Sequence, residues 1–88
     1  MATRGIRGAT TVDGNSAEGI RERTLELLEV LVGDNGLQPE DVASATFTVT
    51  DDLDAEFPAL AVRSLTGWEE VPLLCAREIA VQGALSGC

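Results

Sequence analysis

The stretch NSAEGIRERTLELLEVLVGDNG, residues 15–36, limits what this chain can become more than any other feature. Ile20, Leu27, Leu28 and Leu31 recur at helical spacing, with Arg21, Glu22, Glu26 and Glu29 largely opposite them. That pattern predicts an amphipathic helix over residues 16–33. Asn15 is its expected cap, with Glu18 three residues on, the spacing at which both side chains satisfy free backbone amides. Gly33 and Asn35-Gly36 should end it, and its charged side reads as a solvated face. A helix with one apolar stripe must lay that stripe on another element.

Strands should flank it. Residues 3–12 alternate around Ile6 and Val12 and read as a first strand, turned into the helix by Asp13-Gly14. QPEDV gives a short turn around Pro39. ASATFTVT, residues 43–50, alternates Phe47 and Val49 with threonines, the pattern of a half-buried second strand. Pro58 suits the first turn of a second helix, in which Ala59, Val62 and Leu65 recur until Gly67. EVPLLCAREIAV, residues 70–81, reads as a third strand with Pro72 near one end. The order strand, helix, strand, helix, strand describes one α/β (α+β) domain over residues 1–88, its last element expected to stop short.

Composition narrows the function classes. Phe47, Phe57 and Trp68 are the only aromatic side chains, so the core is aliphatic and small. A core of this size tends to need staples or partner subunits. Two cysteines without a preceding apolar leader suggest neither secretion nor a disulfide frame, and a chain with no histidine offers no zinc site. Asp51, Asp52 and Asp54 lack the glycine and distal glutamate of an EF-hand loop. Oligomerisation is the expected support. A net charge of −9 disfavours nucleic acid and anionic lipid as partners, and no apolar run approaches a membrane span. All six basic residues are arginine. Without Lys, His or Tyr, any chemistry falls to Arg, carboxylates, hydroxyls, thiols and backbone.

Arg7 on the first strand, Arg63 on the second helix and Arg77-Glu78 towards the end of the third strand carry the informative polar groups. Singly, each reads as a surface residue. Taken with RGIRGATTV (4–12), PEDV (39–42), FPALAVR (57–63), GWEEVPLLCAREI (67–79) and Cys88, they resemble the monofunctional, Bacillus-type chorismate mutases of the AroH class. The resemblance runs the length of the chain without gaps.

It implies a chorismate-mutase-like mixed β-sheet with packed helices, assembled as a trimeric pseudo-α/β-barrel with its sites between subunits, in the cytoplasm. It also implies the conversion of chorismate to prephenate, a pericyclic rearrangement in aromatic amino acid biosynthesis that moves no proton and needs no cofactor or metal. Such a reaction asks a protein to hold a dianion in a compact conformer and to stabilise charge growing on the ether oxygen. Arginine suits both tasks. By the same resemblance Arg7 grips the side-chain carboxylate of the substrate, and Glu78 with the backbone at Cys75 holds the ring hydroxyl. Phe57, Ala59, Leu73 and Leu74 form apolar walls, Arg63 stands at the mouth near the ring carboxylate, and Ala76 and Arg77 complete the lining. Leu60 replaces a lysine common near that mouth. The resemblance further implies a strand beyond Cys88, carrying an arginine for the ether oxygen two residues on, and a later tyrosine on a substrate carboxylate. The alternatives are a non-catalytic trimeric module for a small carboxylate and a regulatory amino-acid-binding domain, against which the Phe57–Arg63 block argues.

Overall fold

The computed structural model describes residues 2–88. The helix forms as α1, Ala17–Asn35, and it is capped by Ser16 rather than Asn15. Ser16 is extended (φ −135°, ψ 149°) and its hydroxyl accepts the Gly19 N–H at 3.0 Å, satisfying one of the free amides of the first turn. Asn15 is occupied elsewhere: its side chain bonds to the loop at Asp54 and Ala55. Two adjacent residues with equal capping chemistry were separated by a tertiary contact. At the other end Gly36 takes φ 59° and donates to the Val32 carbonyl, a left-handed conformation that glycine adopts without steric cost.

Leu28 of α1 packs with Ala61, Val62, Trp68 and Val71, and these buried side chains form the core. Ile20 and Leu53 are buried beside it. Each fully buried aliphatic side chain contributes roughly 1.5–3 kcal/mol. The predicted second helix exists as a 3-10 helix, Pro58–Ser64, with Pro58, Ala61 and Val62 buried. The three-residue repeat stacks Pro58 and Ala61 in one narrow stripe, and Gly67 (φ 88°) soon turns the chain away. A similar short 3-10 turn, Pro39–Asp41, follows α1.

Two strands, β1 (Ala45–Val49) and β2 (Leu73–Arg77), pair in parallel with Ala45 opposite Leu73 and Val49 opposite Arg77. The 3-10 helix Pro58–Ser64 lies in the crossover between them, as a parallel pair requires. Ala45 and Phe47 pack on the core cluster, so one face of the sheet is covered while Thr46, Thr48, Leu74 and Ala76 lie exposed on the other. The third predicted strand is shorter than residues 70–81, though the Glu78 N–H extends the pairing to Val49 O at 2.8 Å.

The first predicted strand does not form. Among the described residues, 2–12 join no ladder; of their backbone groups only the Val12 N–H bonds to another element, Gly87 O at 2.7 Å. The alternation of residues 3–12 is strand-compatible, but a strand exists only where a neighbour takes its N–H and C=O groups. Among the described residues no helix is long and apolar enough to cross a membrane.

Candidate active site

An open groove of about 1600 Å³ runs between the N-terminal segment, α1 and β1. Arg7 and Glu78 both line it, with Leu27 and Leu31 of α1 and Thr46 and Thr48 of β1. The N-terminal segment is held against α1 at Gly8, where a Cβ would lie 3.0 Å from Leu27 Cδ1 and 3.2 Å from Leu31 Cδ2. Arg4 lines the groove as well. Without a regular strand, positions 4 and 7 are not forced to opposite faces. Among the described residues the ion pairs are Arg23–Glu26 and Arg77–Asp51, each at 3.4 Å, so neither Arg7 nor Arg63 is neutralised by a carboxylate.

A second hollow, about 360 Å³, lies on the other side of the crossover and is lined by Val62, Arg63, Leu65, Trp68, Glu69, Val71 and Leu73. The sequence-predicted site residues are therefore divided. Arg7 and Glu78 share the groove, whereas Arg63 and Leu73 share the hollow. Phe57 and Leu74 stand 67% and 61% exposed. Ala59 is half-buried, and Ala76 is exposed on the open face of the sheet. Arg77 shares a face with Cys75 and is engaged by Asp51.

Hydrogen-bond phase fixes the role open to Cys75. Ala45 N–H bonds to Pro72 O, and Glu78 N–H to Val49 O. In a parallel ladder that phase directs the backbone of Pro72, Leu74, Ala76 and Glu78 toward β1. The N–H and C=O of Leu73, Cys75 and Arg77 then point to the outer edge of β2, free for a ligand or another chain. The free edge of β1 offers Thr46 and Thr48 in the same way. Thr50, next on that edge, donates to Cys88 O at 2.8 Å, and its hydroxyl accepts the Cys88 N–H at 3.1 Å. Gly87 O meanwhile accepts from Val12 on the opposite side. Residues 87–88 thus tie the loop after β1 to Val12, through a Gly87 backbone that is left-handed rather than extended.

The aspartates of residues 51–54 have separate partners. Asp51 pairs with Arg77, Asp54 takes the Asn15 amide at 2.6 Å, and Asp52 accepts the Gly87 N–H at 2.9 Å. The Thr50 hydroxyl, and then the Gly87 N–H, hold the Asp52 carboxyl below its ordinary pKa, because both bonds favour the ionised form.

A family model described as chorismate mutase type I matches residues 3–88. The chain belongs to the chorismate mutase type I family. Chorismate mutase AroH of Bacillus subtilis (strain 168) is 48% identical over 88 residues, which is 100% of this chain and 69% of the relative. Chorismate mutase AroH of Thermus thermophilus is 49% identical over 83 residues, 93% of this chain and 67% of the relative. A solved chorismate mutase from Clostridium thermocellum superposes with a TM-score of 0.87 at 47% identity, covering 93% of this chain and 72% of that one. The chain is thus an isomerase of the chorismate mutase kind, and its α+β fold is that of the family.

Sequence reasoning named Arg7 and Glu78, which both line the groove, but missed the surfaces around them. Thr46 and Thr48 were legible as the polar half of an alternating strand. Their place on an open edge was not, since nothing in ASATFTVT says which edge lacks a neighbour.

Proposed function

We propose that this chain binds chorismate and rearranges it to prephenate at a site completed by another copy of itself in a homotrimer. The carrying observation is the division of the candidate residues into two incomplete halves: Arg7 with Glu78 in the groove, Arg63 with Leu73 in the hollow. Arg7 and Arg63 line different cavities of one chain, and two copies can bring both cations to one dianion. Exposed Phe57, Leu74 and Ile79 (86%) give such a contact its apolar area. On this reading Arg7 takes the side-chain carboxylate and Arg63 the ring carboxylate. Glu78 and the outward-facing backbone of Cys75 meet the ring hydroxyl, and Phe57, Ala59, Leu73 and Leu74 wall the ring, with Ala76 and Arg77 completing the lining. The fixed charges favour the compact conformer and the charge developing on the ether oxygen over the ground state. No group needs to change protonation, which fits a chain with no His or Lys. We place the protein in the cytoplasm, a setting compatible with its two unpaired cysteines.

Mixing two impaired variants tests the shared site. Arg7→Ala and Arg63→Ala, unfolded together and refolded as hybrids, should turn chorismate over well above either variant alone, while sedimentation equilibrium should give a trimer. A monomer at micromolar concentration, or hybrids no better than their parents, would overturn the shared site. Absence of turnover in the unmutated protein would leave a carboxylate-binding module.

A further inference from the structure

Loop residues 50–57 are a meeting point for segments distant in sequence. Thr50 and Asp52 hold residues 87–88, and Asn15 holds the loop from the foot of α1. Asn15 Oδ1 accepts the N–H groups of Asp54 and Ala55, each at 3.0 Å, and Nδ2 donates to the Asp54 carboxylate at 2.6 Å. Both acceptor positions of the amide oxygen and one donor of its nitrogen are therefore in use. A serine lacks the reach and an aspartate lacks the donor.

Phe57 follows two residues later. The residue is 67% exposed, so packing does little to hold it. Its backbone is fixed from both sides: Glu56 Oε1 accepts its N–H at 2.9 Å, and the buried Pro58 follows directly. We infer that Asn15 is a positioning residue of the substrate site, its amide latching residues 54–55 and so setting where the Phe57 ring stands. The inference rests on the chorismate mutase reading above, in which Phe57 is a wall of the site.

The charges around the latch make it testable. The loop contributes Asp51, Asp52, Asp54 and Glu56, and Asp13 and Glu18 flank Asn15; among the described residues the loop's one basic partner, Arg77, is paired with Asp51. Asn15→Asp keeps the two acceptors but removes the donor and sets like charges against each other. At neutral pH we expect KM for chorismate to rise about tenfold with kcat within about twofold, the scale of one charge-assisted bond lost. Amide exchange at Asp54 and Ala55 should quicken, and the fluorine resonance of 4-fluorophenylalanine at position 57 should shift while that at Phe47 stays put. The swap Asn15→Asp with Asp54→Asn should restore both readouts. An unchanged KM with an unmoved Phe57 signal, a swap that fails to restore them, or equal disturbance at Phe47 would overturn the inference. A parent protein without turnover would overturn the functional reading instead, and the Phe57 signal would still decide the latch.

Discussion

Arg7 has no carboxylate partner among the described residues, and its segment joins no ladder, so its guanidinium is available to a ligand. Arg7→Ala should lower kcat/KM by roughly 10²–10³-fold, the scale of one preorganised electrostatic donor. Arg7→Lys should recover little, since a point charge cannot present two parallel donors. Steady-state kinetics of both variants decides this, and near-normal turnover would return Arg7 to the role of a solvated arginine. Arg4 also borders the groove, so Arg4→Ala measures how far the effect is particular to Arg7. Asp52 acts at the same scale on stability. Its folded pKa is depressed, so its contribution is complete above the ordinary value of 3.8 and is lost as pH falls through the lower folded value. Urea midpoints of the unmutated protein and Asp52→Asn should differ at neutral pH and converge in acid, once the carboxyl is protonated. A gap that persists in acid would assign the difference to something other than ionisation.

Among elements, the pairing of residues 87–88 depends on a backbone that only glycine provides comfortably. Gly87 has φ 66°, and a Cβ there would lie 2.9 Å from the Val12 carbonyl oxygen. Gly87→Ala should cost about 1–3 kcal/mol by chemical denaturation, adding left-handed strain to a backbone clash, with the loss of protection centred on Val12 and Thr50. A stability within 0.5 kcal/mol of the parent, the ordinary range for surface changes, would mean that this corner rearranges freely. The same elements show what the sequence made legible. The periodicity of α1 placed it within two residues at each end, because its apolar stripe faces a core built from its own domain. The alternation of residues 3–12 and 70–81 promised more strand than exists, because alternation reports side-chain faces and not the presence of a neighbour. The short 3-10 helix was readable as helical but not as 3-10. Ala59, Val62 and Leu65 fit either repeat over seven residues, and packing of Pro58 and Ala61 made the choice. For the candidate site, Arg7 and Glu78 were legible as a cation and a carboxylate, and both line the groove. The division between groove and hollow was not, because it depends on which face of β2 meets the crossover.

At the scale of the whole molecule, the groove between the N-terminal segment and β1 is open, with Thr46 and Thr48 on its lining, and a further strand could lie there. If a strand seated there carries the arginine expected at the ether oxygen, its effect should fall on turnover more than on binding. These 88 residues, assayed beside a version with such a strand, should form prephenate at least about 10³-fold more slowly. Equal rates would show that another group, such as Arg63 of a second copy, takes that place.

The parallel pairing of β1 with β2 also bears on how the chain reaches this structure. Its register joins Ala45 to Leu73 across the entire crossover, so no local hairpin can nucleate the sheet. Ordering that long loop costs entropy before any ladder bond repays it. The segment that can shorten the search is Pro58–Ser64, whose Ala61 and Val62 meet Leu28 before the strands need to align. The folding transition state should therefore be built around α1 and the 3-10 helix, with the sheet forming late. Leu28→Ala and Val62→Ala should mainly slow folding, whereas Thr48→Ala should mainly speed unfolding, a contrast that stopped-flow chevrons measure directly. Slow refolding of Thr48→Ala, with Val62→Ala folding at the normal rate, would place the nucleus in the sheet instead.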